Sequence, residues 1–140
     1  MSDPLYRKEL LRLAADAHGA GRLKNPDATG YAHNPACGDK VAVDLKLENG
    51  TIIQIAQETK ACMLAQASAS ILGRELKGSS RAGVEALKND VSAMLSQHAP
   101  PPSPPFQDYA AFDGAIELPS RHRCVLLPFE AVFAAFDAKE

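Results

Sequence analysis

The chain has 140 residues, of which 46% are hydrophobic and 23% charged, enough for a single domain with its own core. A formal net charge of -2 counts against a general binder of nucleic acid or of anionic membranes. No apolar run approaches the ~20 residues that span a bilayer, and Met1-Ser2-Asp3-Pro4 lacks the basic-then-apolar order of an export signal. With an odd number of cysteines, three in all, the expectation is reduced thiols and a cytoplasmic protein.

Ser2 or Asp3 before Pro4 is a good helix start. Leu5, Tyr6, Leu10, Leu13, Ala14 and Ala17 then recur at helical spacing until Gly19 and Gly21, which predicts an amphipathic helix over 4–18. Residues 22–39, rich in Gly, Asn, Pro and Asp, read as loop with one short strand near Thr29–Ala36. Val41, Val43, Leu45 and Leu47 alternate with polar or small residues, the pattern of a half-buried strand. Asn49-Gly50 is a strong hairpin turn, and Ile53 and Ile55 carry the return strand to about Glu58.

From Cys62 small and apolar residues run to Lys77, predicting a mostly buried helix closed by Gly78. Ala67, Ser68, Ala69 and Ser70 permit another element to approach closely, and the serines read as tolerated small residues without chemistry. Val84, Leu87, Val91, Met94 and Leu95 mark a second helix over 81–97. Ala99 to Pro105 can be neither helix nor central strand; it reads as a stiff connector at 99–105 rather than a docking peptide. Tyr109, Phe112, Ile116 and Leu118 fit a short irregular segment, and after Cys124 and Pro128 a terminal helix is expected from Phe129 to Asp137. The predicted fold is α+β, a small antiparallel sheet packed against several helices, in one domain over 1–140.

The chemistry is concentrated in Cys37, Asp39, Cys62 and Cys124. No Cys-x-x-Cys knuckle is present, so spacing alone leaves open three unrelated buried cysteines acting as small hydrophobes. The hairpin supplies a physical reason to group them. It returns the chain to its starting end, so Cys37 before it and Cys62 after it become neighbours. Cys62 at a helix N-terminus sits where the dipole and free N–H groups favour a thiolate. Gly38 permits a tight loop from which Cys37 and Asp39 reach one centre. Three thiolates and a carboxylate complete a four-coordinate site for zinc, or for the iron of a cluster. Asp39 as a plain turn residue is the bland alternative.

Asn34-Pro35-Ala36-Cys37-Gly38-Asp39 resembles the signature of the IscU/NifU-type iron–sulfur cluster assembly scaffolds. The resemblance continues through the hairpin, Cys62 opening a helix, Ala67-Ser68-Ala69-Ser70, and Arg121-His122-Arg123-Cys124 followed by the terminal helix. The long stretch between Cys62 and Cys124, and the basic residue before Cys124, are similar to the SufU branch. The chain departs from the family in having Ala61 where glycine is common. Histidine stands at 122 rather than next to Cys124, and Leu118-Pro119 is followed by Ser120, which leaves a chaperone-docking motif incomplete.

The resemblance implies a zinc ion held by Cys37, Asp39, Cys62 and Cys124, and sulfur accepted as persulfide from a SufS-type cysteine desulfurase. Cys124, flanked by Arg121 and Arg123, is the expected acceptor. The alternative it implies is a scaffold that builds a transient [2Fe–2S] cluster on Cys37, Cys62 and Cys124 and passes it to apo-proteins. A purely structural zinc domain is a third reading. Neither nucleic acid nor membrane is an expected partner, and sulfurtransferase-like acceptor and non-enzymatic scaffold both remain open.

Overall fold

The structure, a computed structural model, describes residues 7–36 and 38–139. Three strands form one antiparallel sheet in the order β1-β2-β3: β1 is Ala28–Asn34, β2 is Asp39–Glu48 and β3 is Thr51–Lys60. Of the helices α1 (Lys8–Asp16), α2 (Met63–Glu75), α3 (Arg81–Gln97) and α4 (Pro119–Lys139), α2 and α4 pack on the sheet, α1 lies against α2 and α3 against α4, with a 3₁₀ helix at Gln107–Ala115. This is the expected α+β architecture.

The sheet follows from its turn and its alternation. Asn49 and Gly50 both take positive φ, 53° and 79°, as the tight hairpin between β2 and β3 requires. Val41, Val43 and Leu45 point inward and are almost fully buried. The register shifts between Lys46 and Leu47, a bulge beside the hairpin. β3 does not end as an open edge: Gly21 N–H donates to the Gln57 carbonyl at 2.9 Å and Gln57 N–H to the Gly19 carbonyl at 2.8 Å. That segment is held down by α2, where a Cβ on Gly73 would stand 2.1 Å from the His18 carbonyl oxygen. The close approach to α2 is thus made at Gly73, outside the Ala67–Ser70 stretch to which the sequence reading assigned it.

Element boundaries differ from the sequence reading: α1 ends at Asp16 rather than at residue 18, and the segment expected to be irregular forms the 3₁₀ helix. α1 begins at Lys8, and the expected cap at Ser2–Pro4 lies outside the described residues. α2 stops at Glu75, before Gly78. α3 spans the predicted residues, and its Ser80 Oγ accepts from Gly83 N–H at 3.3 Å as an N-cap. Between α3 and the 3₁₀ helix, Ala99 to Ser103 is irregular, as its prolines dictate.

The largest correction concerns the C-terminal region. Pro128 does not start a helix; it lies inside α4, which runs unbroken from Pro119 and carries Cys124 within it. An apolar face on both sides of Pro128 explains why the helix continues. Val125, Leu127, Phe129, Ala131 and Val132 are fully buried against the sheet and α2, and each large side chain contributes about 2 kcal/mol of burial, together enough to outweigh a ~3 kcal/mol proline penalty. Gly30 of β1 makes the contact possible: a Cβ there would meet the Ala131 carbonyl oxygen and the Ala135 nitrogen at 2.2 Å.

Candidate metal centre

Asp39 opens β2 opposite Asn34, the last residue of β1. The turn joining them is shaped by Asn34, whose Oδ1 accepts from Ala36 N–H at 3.2 Å, and by Gly38 at φ 74°, a conformation a side chain would strain. The Asp39 side chain turns inward and is 6% exposed. Its Oδ2 has no hydrogen-bond partner among the described residues. A buried carboxylate oxygen left without a partner is costly, and this one stands beside two thiols.

The hairpin register brings Cys62 to the same place. Lys40 pairs with Lys60, so Cys62, two residues further, lies beside the start of β2. Cys62 is the N-cap of α2 with extended backbone, φ -62° and ψ 166°, and is half-buried. Cys124 reaches the same point from α4 and is 4% exposed. One ligand atom from each of Asp39, Cys62 and Cys124 lies within 4.8 Å of the other two. Two ligands on one zinc stand about 4 Å apart, so the three donors are assembled, a little loosely, around a common point.

Cys37 lies outside the described residues, between Ala36 and Gly38 of the turn. Neither His33 nor His122 is a member of the cluster. His33 is exposed on β1. His122 Nε2 faces the carbonyls of Ala115 at 2.9 Å and Ile116 at 3.2 Å, so that nitrogen carries the proton and donates. The basic residues beside Cys124 are exposed; Arg123 reaches the His33 carbonyl at 3.5 Å and Glu130 at 3.9 Å. The donor set of one carboxylate and two thiols, with an unsatisfied oxygen among them, suits zinc or sulfur-ligated iron and gives a hard oxygen-seeking ion too few ligands.

The family model of the NifU-like N terminal domain matches residues 5–116, well over half of the chain. The chain belongs to that family. The zinc-dependent sulfurtransferase SufU of Bacillus subtilis (strain 168) is 25% identical over 130 residues, 93% of this chain and 88% of the relative. The iron–sulfur cluster assembly scaffold protein IscU of Streptococcus pyogenes serotype M1 is 26% identical over 115 residues, 82% of this chain and 72% of the relative. Among solved structures, an N-terminal NifU-like protein from Brucella abortus superposes with a TM-score of 0.91 at 33% identity, covering 98% of this chain and 95% of that one. The family thus includes SufU- and IscU-like iron–sulfur cluster assembly proteins, and the expected membership and fold both hold. No helix among the described residues is long and apolar enough to cross a membrane.

Sequence reasoning missed one part of the site's surroundings. Ser68, read as a tolerated small residue, is fully buried and hydrogen-bonded to the backbone beside Cys124. Its position on the buried face of α2, six residues after Cys62, was the available signal.

Proposed function

We propose that this family member accepts persulfide sulfur from a cysteine desulfurase of the SufS type, at a zinc site made by Cys37, Asp39, Cys62 and Cys124. The observation that carries the reading is the convergence of Asp39, Cys62 and Cys124 around an unsatisfied carboxylate oxygen. The Bacillus relative's name, a zinc-dependent sulfurtransferase, supports it. Cys37 enters as the fourth ligand through the family resemblance of Asn34-Pro35-Ala36-Cys37-Gly38-Asp39, two positions before Asp39 in the sequence. Zinc held there would keep the thiols deprotonated and protected until a partner arrives. The reading takes residues 1–140 as one domain working in the cytoplasm, where thiols stay reduced.

Cys124 is the proposed acceptor. Its thiolate attacks the outer sulfur of the donor's cysteine persulfide; the donor S–S bond breaks, the donor leaves as a thiolate, and Cys124 carries the new persulfide. No net oxidation is involved. Exposed Arg121 and Arg123 flank it and would steer an acidic partner. Because Cys124 is buried in α4 rather than carried on an irregular segment, transfer requires the first turns of that helix to shift on docking.

The test is release of alanine by a cognate desulfurase with this protein in excess. Wild type should raise turnover, Cys124→Ser should abolish the rise, and Cys62→Ser should retain part of it. Absence of stimulation by wild type defeats the acceptor reading. The relative named as an IscU scaffold favours a second reading, in which Cys37, Cys62 and Cys124 hold a [2Fe–2S] cluster as cargo for apo-proteins. Reconstitution with iron and sulfide, followed by transfer to an apo-ferredoxin, would distinguish it. A zinc serving the fold alone fits less well, since the apolar core runs from α1 to α4 without needing a metal.

A further inference from the structure

Buried beneath the cluster is a chain of hydrogen bonds that links the helices of two of its ligands. Ser68 Oγ donates to the Val125 carbonyl at 2.7 Å and lies 2.8 Å from Tyr109 Oη. A serine hydroxyl has one proton, and here the carbonyl takes it. Tyr109 must therefore donate to Ser68 Oγ, with a longer contact of 3.4 Å to the Ser68 carbonyl. The order is Tyr109 O–H to Ser68 Oγ–H to Val125 C=O, each group polarising the next in a dry environment. Burial pushes the Tyr109 phenol above the ordinary tyrosine range, only partly offset by the Ser68 bond, so it stays a donor throughout the working pH range.

The bond falls where α4 needs it. Pro128 brings no N–H to the helical ladder and its ring crowds the preceding turn, so the regular ladder is interrupted next to Cys124. Ser68 grips the next carbonyl along. Tyr109 is in turn fixed by Phe112 and Phe129, with ring centroids 5.3 Å and 6.0 Å away.

We propose that Ser68 and Tyr109 are positioning residues that hold the turn bearing Cys124 against the helix capped by Cys62, and so keep the Cys124 thiol inside the cluster. Ser70 supplies a matched comparison. It lies on the same helix, is equally buried, and accepts from His18 N–H at 3.0 Å, away from α4. A buried serine whose hydrogen bond does not reach α4 would behave like Ser70.

The experiment alkylates metal-free wild type, Ser68→Ala, Tyr109→Phe and Ser70→Ala, and reads each cysteine's rate by mass spectrometry. Cys124 should react about tenfold faster in Ser68→Ala, the equivalent of one lost hydrogen bond. It should react a few-fold faster in Tyr109→Phe, while Cys62 stays at its wild-type rate in both. Ser70→Ala should leave the Cys124 rate unchanged. An equal rise at Cys62, or an equal Cys124 effect from Ser70→Ala, overturns the proposal. If Ser68→Ala does not fold, Tyr109→Phe, which keeps the ring and the serine, decides by the same criterion. A Co²⁺ titration adds a spectroscopic reading: Ser68→Ala should lose about a third of the thiolate-to-cobalt absorption, one thiolate of three. Only this Co²⁺ reading rests on the proposed metal function. A wild type without thiolate bands, or without effect on a desulfurase, would count against that function and leave the labelling result to decide the positioning role.

Discussion

Strand β2 carries two buried aspartates, and they differ in how their carboxylates are satisfied. Asp44, 1% exposed, is fully satisfied. Arg22 grips it with two bonds at 2.7 and 3.0 Å, Leu23 N–H donates at 3.0 Å, and Thr29 Oγ1 donates at 2.6 Å. The Arg22 bonds hold its carboxyl below the usual carboxylate range, outweighing the opposing effect of burial. Asp39, five residues earlier and 6% exposed, leaves Oδ2 without a partner among the described residues and faces two thiols instead. One strand thus buries the same side chain twice, once to pin the loop over the sheet and once, by the functional reading, to hold a metal.

The largest expected difference is in metal affinity. Asp39→Ala should weaken zinc binding by at least about a hundredfold, a loss on the scale of a whole ligand. Asp44→Ala should leave it unchanged, as read by competition with a chromophoric chelator. Comparable losses in both variants would break the comparison.

Stability should show the reverse order. In metal-free protein, Asp44→Ala should cost about 2 kcal/mol in urea unfolding, the low end for a buried charged group because Arg22 remains 41% exposed. Asp39→Ala should cost nothing measurable or slightly stabilise, since its orphan oxygen disappears.

Only the Asp39 side of this contrast could be anticipated from sequence. The hairpin at Asn49-Gly50, the helix after Cys62 and the grouping of Asp39 with two cysteines were legible because turn chemistry and strand alternation are local. α4 was not. Pro128 obeys a strong local rule that favours a break, and only the sheet and α2, packed on both sides of it, override the rule. The same limit hid Ser68, whose partner is a carbonyl 57 positions away. Asp44 gave no signal either, because an alternating strand normally turns such a residue to water and nothing local announces that Arg22 will cover it.

Acid should act through Asp44. Its folded pKa lies below the unfolded value of about 3.8, so its contribution is complete above that value and is lost as the pH falls through the folded pKa. Asp44→Asn should therefore flatten the fall in stability below about pH 4 that wild type shows in pH-dependent urea titrations. An unchanged acid limb would remove Asp44 from the account. The smallest effect is expected at Thr29→Val, which deletes one of the four bonds at nearly constant volume and should cost about 1 kcal/mol with zinc affinity untouched.

The central claim, that Asp39 and the cysteines form one metal site, is tested most directly by X-ray absorption at the zinc edge on purified wild-type protein, with zinc per chain measured on the same sample. The account predicts one zinc per chain bound by three sulfurs at about 2.3 Å and one oxygen at about 2.0 Å, the oxygen being lost or replaced in Asp39→Ala. A stoichiometric zinc with only nitrogen and oxygen neighbours, or a spectrum identical in Asp39→Ala, would contradict it.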